Sequence, residues 1–387
     1  MIVQVTDSQG NVYQETLTIN VTDVFDSEHD IDEVDYDDTL AGAAGSDSMT
    51  RSSGEEHMYG ADGDDTMTTD SNQDMMAGGA GDDVMNGGSS EDFFFGGTGD
   101  DSMTGGGDDD YFLFHAGEGN DTIAGGDDPD VILLRGADGD APDPSTFTLD
   151  LTSGSATWHS DHIELTEGAT GTVTFDDGSS IDFTSIETIS WADDIDYDNG
   201  RNEVHLSDGD GDTVNGSDEE DFVGGGAGDD SLYGDSNEDI LHGGGGDDTL
   251  DGGDHSDILI GGSGDDLLLG DSGDDALYGE EGSDTLIGGE DDDSLFGGVG
   301  DDLFMVGESG GDDVVHGGTG WTDVIEVTDS SGSEAPDDSW TVSIDGGDTY
   351  NIDSDDGFLD LGTDQSGTIT FNDGSEVNFD GIERIEW

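Results

Sequence analysis

The chain keeps a nine-residue period. Counted on one acidic position, a first run goes Asp38, Asp47, Glu56, Asp65, Asp74, Asp83, Asp92, Asp101 and Asp110, every step nine, then eleven to Asp121 and nine to Asp130. A second run goes Asp212, Asp221, Asp230, Asp239, Asp248, Asp257, Asp266, Asp275, Asp284, Asp293 and Asp302, again in nines, then eleven to Asp313 and ten to Asp323. A phase held this long marks a stack of like supersecondary units. Two residues after each acid stands an apolar column: Met49, Met58, Met67, Met76, Met85 and Phe94 in the first run, Leu232, Leu241, Leu250, Leu259 and Leu268 in the second. Nine residues is not a helical repeat, and the glycines between would cost a helix about 1 kcal/mol each. The period predicts a six-residue turn followed by a three-residue strand whose middle side chain points inward. Stacked, such units give parallel strands around a thin apolar seam.

The turn accounts for the rest of the unit. Stretches such as GGGGDD at Gly243–Asp248 and GGSGDD at Gly261–Asp266 supply the residue that takes positive φ without penalty and lets two backbones approach. Such a turn leaves carbonyl oxygens facing the gap between units, and the acid adds carboxylate oxygens to that gap. Oxygen-only ligands in a flexible cage suit Ca²⁺, whereas Mg²⁺ wants tighter octahedral order and keeps its water. A solvated acidic face would have no reason to return every ninth residue behind paired glycines.

Charge makes a cation necessary. The chain has 387 residues, 101 of them Asp or Glu against 4 Arg, for a formal net charge of −97, and only 30% are hydrophobic. Such a chain is expanded unless its acid is neutralised. The same charge argues against nucleic acid and anionic membranes as partners. No apolar run approaches the roughly 20 residues that cross a bilayer, so no membrane insertion is expected. There is no cysteine, so whatever staples the fold is not a disulfide. The start MIVQVTDSQG has neither the basic nor the apolar region of a secretory signal peptide.

The phrase GGxGxDxUx resembles that of the RTX (repeats-in-toxin) family of secreted calcium-binding proteins, over residues 38–130 and 212–323. The resemblance implies an all-β fold without significant helix: two right-handed parallel β-rolls stapled by several Ca²⁺ ions. It implies that the sixth-position aspartates and turn carbonyls hold the metal. Carried over to this sequence, the ligands are Asp74, Asp83, Asp92, Asp101, Asp110, Asp121, Asp221, Asp230, Asp239, Asp248, Asp257, Asp266, Asp275, Asp284, Asp293, Asp302 and Asp313. The carbonyls are those of Gly79, Gly81, Gly97, Gly99, Gly226, Gly228, Gly244, Gly246, Gly262, Gly264, Gly298 and Gly300. Two turns depart from the pattern: TRSSGEE at Thr50–Glu56 and TTDSNQD at Thr68–Asp74 lack the paired glycines, and Glu56 replaces Asp. Their sites are expected to be weak or empty, and the first roll the less stable. The resemblance also implies an extracellular or cell-surface location, reached by type I secretion.

Each run is followed by a β-rich segment, and the two are copies. GTVTFDDGSSIDFTSIETISW at Gly171–Trp191 and GTITFNDGSEVNFDGIERIEW at Gly367–Trp387 share 12 of 21 residues without a gap. Both read as two strands about a D-G turn and an I-E-x-I-x-W close. The expected division is a β-hairpin at 1–25, an acidic linker at 26–37, roll at 38–130, antiparallel β cap at 131–191, acidic linker at 192–211, roll at 212–323 and cap at 324–387. Caps would cover the open end of each solenoid. The hairpin resembles the last one of a cadherin-like module. The DGDGD that ends the second linker mimics the start of an EF-hand loop but has no Glu at its twelfth position.

Catalytic motifs are weak. GESGG at Gly307–Gly311 matches G-x-S-x-G formally but lies in a roll turn, not in the strand–turn–helix that Ser309 would need. WHSDH at Trp158–His162 reads as a hairpin tip in the first cap, and contiguous residues on a strand would point to opposite faces. No H-E-x-x-H occurs. The leading expectation is therefore a non-catalytic, secreted, calcium-dependent structural protein, able to associate head to tail with itself as a filament or matrix subunit. The alternatives are the calcium-binding secretion or adhesion portion of a larger adhesin or enzyme, and a polysaccharide-active enzyme.

Overall fold

The structure is a computed structural model. It describes residues 2–6, 12–16, 37–42, 45–50, 55–61, 63–69, 71–136, 142, 144–160, 162–191, 194–197, 202–206, 211–216, 220–307, 310–320, 322–328, 340–344, 349–351, 358–372 and 374–387. Among the described residues there are strands and turns but no helix.

The three-residue strand of the repeat occurs on one face of the first roll, whereas the strands of the second roll from Glu220 on run five to eight residues, into the glycines that follow. Ser48–Thr50, Thr66–Thr68 and Val84–Asn86 each bury their central methionine and turn both neighbours outward, as alternation along a strand requires. The parallel register links each strand to the one two repeats further on. Met67 aligns with Met49 and Met85, and Leu259 with Leu241 and Leu277. One coil of the solenoid is thus two repeats, and alternate strands build its two faces. The inward residues of both faces meet in one seam per roll, methionine- and phenylalanine-rich in the first and leucine-rich in the second.

The parallel stack does not stop where the nine-residue phrase does. After the first ladder, Ser180–Thr184 pairs in parallel with Asn120–Gly126, and Thr188–Ser190 with Val131–Arg135. The duplicated segment therefore adds a further coil before antiparallel strands continue each sheet. In the second copy one long strand, Glu376–Glu386, pairs in parallel with both Asp313–Thr319 and Val324–Thr328. The stretch 192–211, read as linker, contains the strands Asp194–Tyr197 and Asn202–Leu206. The second of these pairs in parallel with Glu220–Ala227, ahead of the first expected unit. Its sequence NEVHL alternates, a strand signal that the surrounding acid obscured.

The hairpin joins Ile2–Thr6 to Val12–Thr16 antiparallel, Ile2 opposite Thr16, as a two-stranded sheet of its own. Its turn, the acidic stretch at 26–36, Ser309 and most of DGDGD lie outside the described residues.

The two rolls pack against each other, one face each. The residues flanking the inward column are apolar on every second strand, and these outward side chains form a third buried cluster that includes Met75, Phe93, Phe95, Phe222, Ile240 and Ile258. Phe93 and Phe222 meet at 4.8 Å between ring centroids, and Tyr59 and Tyr278 at 4.5 Å. An early coil of the first roll thus faces a late coil of the second, so the two stacks run antiparallel.

Candidate metal centres

Every aspartate in the predicted ligand set is buried, none more than 4% exposed. Each is tied to the neighbouring coils through its own main chain and one carboxylate oxygen. Asp239 Oδ1 accepts the Asp221 N–H at 2.8 Å, and the Asp239 N–H donates to Asp257 Oδ1 at 2.8 Å. The same rung recurs from Asp47–Asp65 to Asp302–Asp323. The Asp239 carbonyl in turn accepts the Ile258 N–H at 2.9 Å. One oxygen of the carboxylate is thus consumed in holding register.

The other oxygen is not. The Oδ2 atoms of Asp83, Asp101, Asp110, Asp230, Asp239, Asp248, Asp257, Asp266, Asp275, Asp284, Asp293 and Asp302 are buried and accept no hydrogen bond. A buried anionic oxygen without a donor is costly unless a proton or a cation meets it. Burial accordingly pushes these carboxyls up from 3.8: Asp83 to about 6, Asp101 to about 7, Asp110 to about 8 and Asp239 to about 9. In Asp239 the neighbouring Asp221 and Glu220 carboxylates add to the burial, while the Asp221 N–H opposes it.

The glycines place more oxygen around that atom. A methyl group on Gly243 would overlap Asp248 Oδ2 and lie 2.6 Å from the Gly261 carbonyl of the next coil. Gly264, at φ +137°, faces the Gly246 carbonyl so closely that a side chain there would overlap it. The carbonyls of Gly79, Gly81, Gly99, Gly226, Gly228, Gly244, Gly264, Gly298 and Gly300 face the following coil in the same way, and Gly97 and Gly262 occupy equivalent turns with positive φ. No group of three or more Asp, Glu or His side chains that could hold a metal occurs among the described residues. The gaps are lined by backbone carbonyls with single carboxylates instead. That donor set fits a hard, irregularly coordinated cation such as Ca²⁺.

One turn fits it least. At Thr68–Asp74 the place of the first glycine is taken by buried Thr69, whose hydroxyl donates to the Gly87 carbonyl at 2.6 Å. A protein donor there satisfies an oxygen that elsewhere faces the gap. The Glu56 side chain lies outside the described residues.

Three features escaped the sequence reading. Asp65, Asp130 and Asp212 carry the same unsatisfied Oδ2 as the predicted ligands and stand on the same ladder, but the predicted set omitted them. Where aspartate also precedes a ladder position, it joins a second, exposed ladder that runs the other way, with the Asp100 N–H donating to Asp82 Oδ1 at 2.9 Å and the Asp265 N–H to Asp247 Oδ1 at 3.0 Å. The D-D doublets were its signal. Finally, the last aspartate of each ladder has no aspartate beyond it. Its N–H donates instead to Glu187 Oε2 (Asp130, 3.1 Å) and Glu383 Oε2 (Asp323, 2.8 Å). These are the E of the shared I-E-x-I-x-W, which explains why both copies have it.

Short parallel strands wound in two-repeat coils, with a carboxylate and carbonyl oxygens at every turn, define a cation-stapled β-roll. The family model of the RTX calcium-binding nonapeptide repeat matches residues 34–67, 50–85, 86–117, 115–138, 206–241, 233–268 and 269–304, just over half of the chain. The chain belongs to that family, and its repeats bind several Ca²⁺ ions. No curated protein matches the chain. Among solved structures, the extracellular lipase LipA from Serratia marcescens is similar at 15% identity and a TM-score of 0.15, over 82% of this chain and 39% of the lipase. The chain thus spans about two fifths of the lipase it matches.

Proposed function

We propose that this is a secreted, non-catalytic structural protein that folds on calcium outside the cell and assembles head to tail into a filament or surface matrix. The observation that carries the calcium step is the ladder of buried Asp Oδ2 atoms without donors in a chain of net charge −97. In this reading Asp83, Asp101 and Asp110, and Asp230 through Asp302 of the second ladder, hold the metal together with the turn carbonyls. Oδ1 meanwhile keeps the coils in register. The bound ion supplies the positive charge that each gap lacks. Low calcium inside the cell keeps the chain unfolded for export, and high calcium outside folds it.

The assembly step rests on the hairpin Ile2–Thr16, which pairs with no other strand among the described residues. Its free edges offer strand addition to a second copy, a heterologous joint that builds open fibres rather than rings. Light scattering in millimolar calcium tests it. The full chain should polymerise, and a chain lacking residues 1–25 should not. Equal behaviour of the two overturns the joint. The same hairpin also suits a second reading, in which this chain is the calcium-binding portion of a larger adhesin or enzyme. The intact mass of the protein from its native source separates the two, and a screen on uronate polymers tests for catalysis.

A further inference from the structure

The turns repeat every nine residues, but the flanking apolar side chains that are fully buried lie on every second strand. Met75 and Phe93 on the first roll, and Phe222, Ile240 and Ile258 on the second, all flank inward residues on the docked faces. The corresponding places on the opposite face of the first roll hold Ser48, Thr66, Val84 and Ser102, with Val84 exposed. The docked side chains are 1% exposed or less. Each roll taken alone would therefore present a contiguous apolar face to water, in a chain otherwise covered in carboxylates.

Polar contacts between the two rolls reinforce the packing. The Tyr278 hydroxyl donates to the Gly42 carbonyl at 2.9 Å, and the Tyr59 hydroxyl to Glu280 Oε1 at 2.5 Å. Glu280 lies near the end of the strand Ala276–Glu281, just ahead of Asp284. These outward faces exist only while the strands are in register, and the turns set the register. Docking also brings two strongly negative bodies together, which bound cations favour.

We propose that this interface couples the calcium loading of the two rolls, so that the chain folds as one cooperative unit rather than as two independent arrays. The proposal rests on the reading that the ladder turns hold calcium. Ions bound in either roll build the face that the other docks on. The effect is reciprocal, because coupling between two binding equilibria must be. The second roll, with its regular turns, then stabilises the first, whose turns at Thr50–Glu56 and Thr68–Asp74 depart from the pattern.

Hydrogen exchange read by mass spectrometry on the full chain, across a calcium titration, follows the rolls separately through peptides from 71–136 and 231–307. The wild type should gain protection in both at one calcium midpoint. Asp257→Asn, in the second roll, should raise the midpoint of the first roll as well. In a Phe222→Ser/Ile258→Ser background the curve should split, with the first roll's midpoint rising by about 5-fold or more, the lower end of ordinary allosteric coupling. Asp257→Asn should then no longer reach the first roll. Should the double variant fail to fold, Tyr278→Phe, which removes only the bond to Gly42, gives a smaller shift in the same direction. Separate midpoints in the wild type, unmoved by these interface variants, overturn the coupling and leave the calcium reading intact. Protection that calcium does not change in either roll overturns the calcium reading and the coupling with it.

Discussion

Replacing Asp239 by Asn separates two roles that one carboxylate combines. The amide keeps the acceptor for the Asp221 N–H, which Asp239 Oδ1 now takes at 2.8 Å. It removes the charge at Oδ2, which is buried without a donor. Burial, reinforced by Asp221 and Glu220, holds this carboxyl up at about 9 in the metal-free fold. An unfolded Asp titrates near 3.8, so at pH 7 the metal-free folded chain must carry a proton there that the unfolded chain has lost. At about 1.4 kcal/mol for each pH unit between those two points, the cost is about 4 kcal/mol. Asn does not incur it. In chelator the variant should therefore fold more readily than wild type, by as much as about a thousandfold in the folding equilibrium. Excess EDTA with a graded excluded osmolyte brings the folded fraction into a measurable range by circular dichroism. With calcium the sign reverses. The site has lost an anionic ligand, and the midpoint of the calcium titration should rise about tenfold, the equivalent of about 1.4 kcal/mol. A variant that folds no better in chelator and titrates with calcium as the wild type does would refute this reasoning and reduce the ladder to a hydrogen-bonding device.

Three further outcomes are expected. Leu259→Ala empties a fully buried place in the second seam and should cost about 2–5 kcal/mol in calcium-saturated urea unfolding. Asp257→Ala should raise the calcium midpoint of the β signal far more than Glu56→Ala, because the Glu56 turn lacks the paired glycines; equal effects would contradict the ranking of the sites. Acid should partly replace calcium: a carboxyl whose folded pKa is raised stabilises the fold below its unfolded value and loses that contribution as pH rises through the folded value. With Asp101 near 7 and Asp110 near 8 against 3.8 unfolded, β structure in chelator should be least above pH about 8 and grow as pH falls from there to about 4.

What the chain shows plainly in sequence is what repeats in phase over many units. The inward column and the ladder aspartates follow from phase alone, because a three-residue strand has one inward position and a turn that meets its neighbour has one place for a carboxylate. Boundaries were less legible. Ser180–Thr184 continues the first stack in parallel with Asn120–Gly126, although no GGxGxD phrase precedes it. What makes a strand continue a stack is its pairing edge and inward side chain, not the turn that precedes it. Glu187 and Glu383 were visible as shared letters, but their role depended on knowing that each ladder aspartate donates its N–H forward and that the last one lacks a taker.

The docking of the rolls was hidden for a different reason. Alignment on the nine-residue phrase superimposes the two faces of a solenoid whose coil is twice as long. Phe93 is then averaged with Val84 and Ser102, and Ile258 with Thr249 and Leu267, so the flanking positions look merely variable. Counted in eighteens the faces separate. On the first roll one carries Met75, Phe93 and Phe95 and is buried, while the other carries Thr66, Thr68 and Asn86 and is at least partly exposed. Both columns obey the same backbone. They differ only in what covers them, and a three-residue strand with no partner on its outer side has no other reason to spend phenylalanine there. In a chain this acidic, apolar residues beyond the seam mark contact surfaces, and one face of each roll buries such a rank completely against its partner. Here that partner is the other half of the same chain.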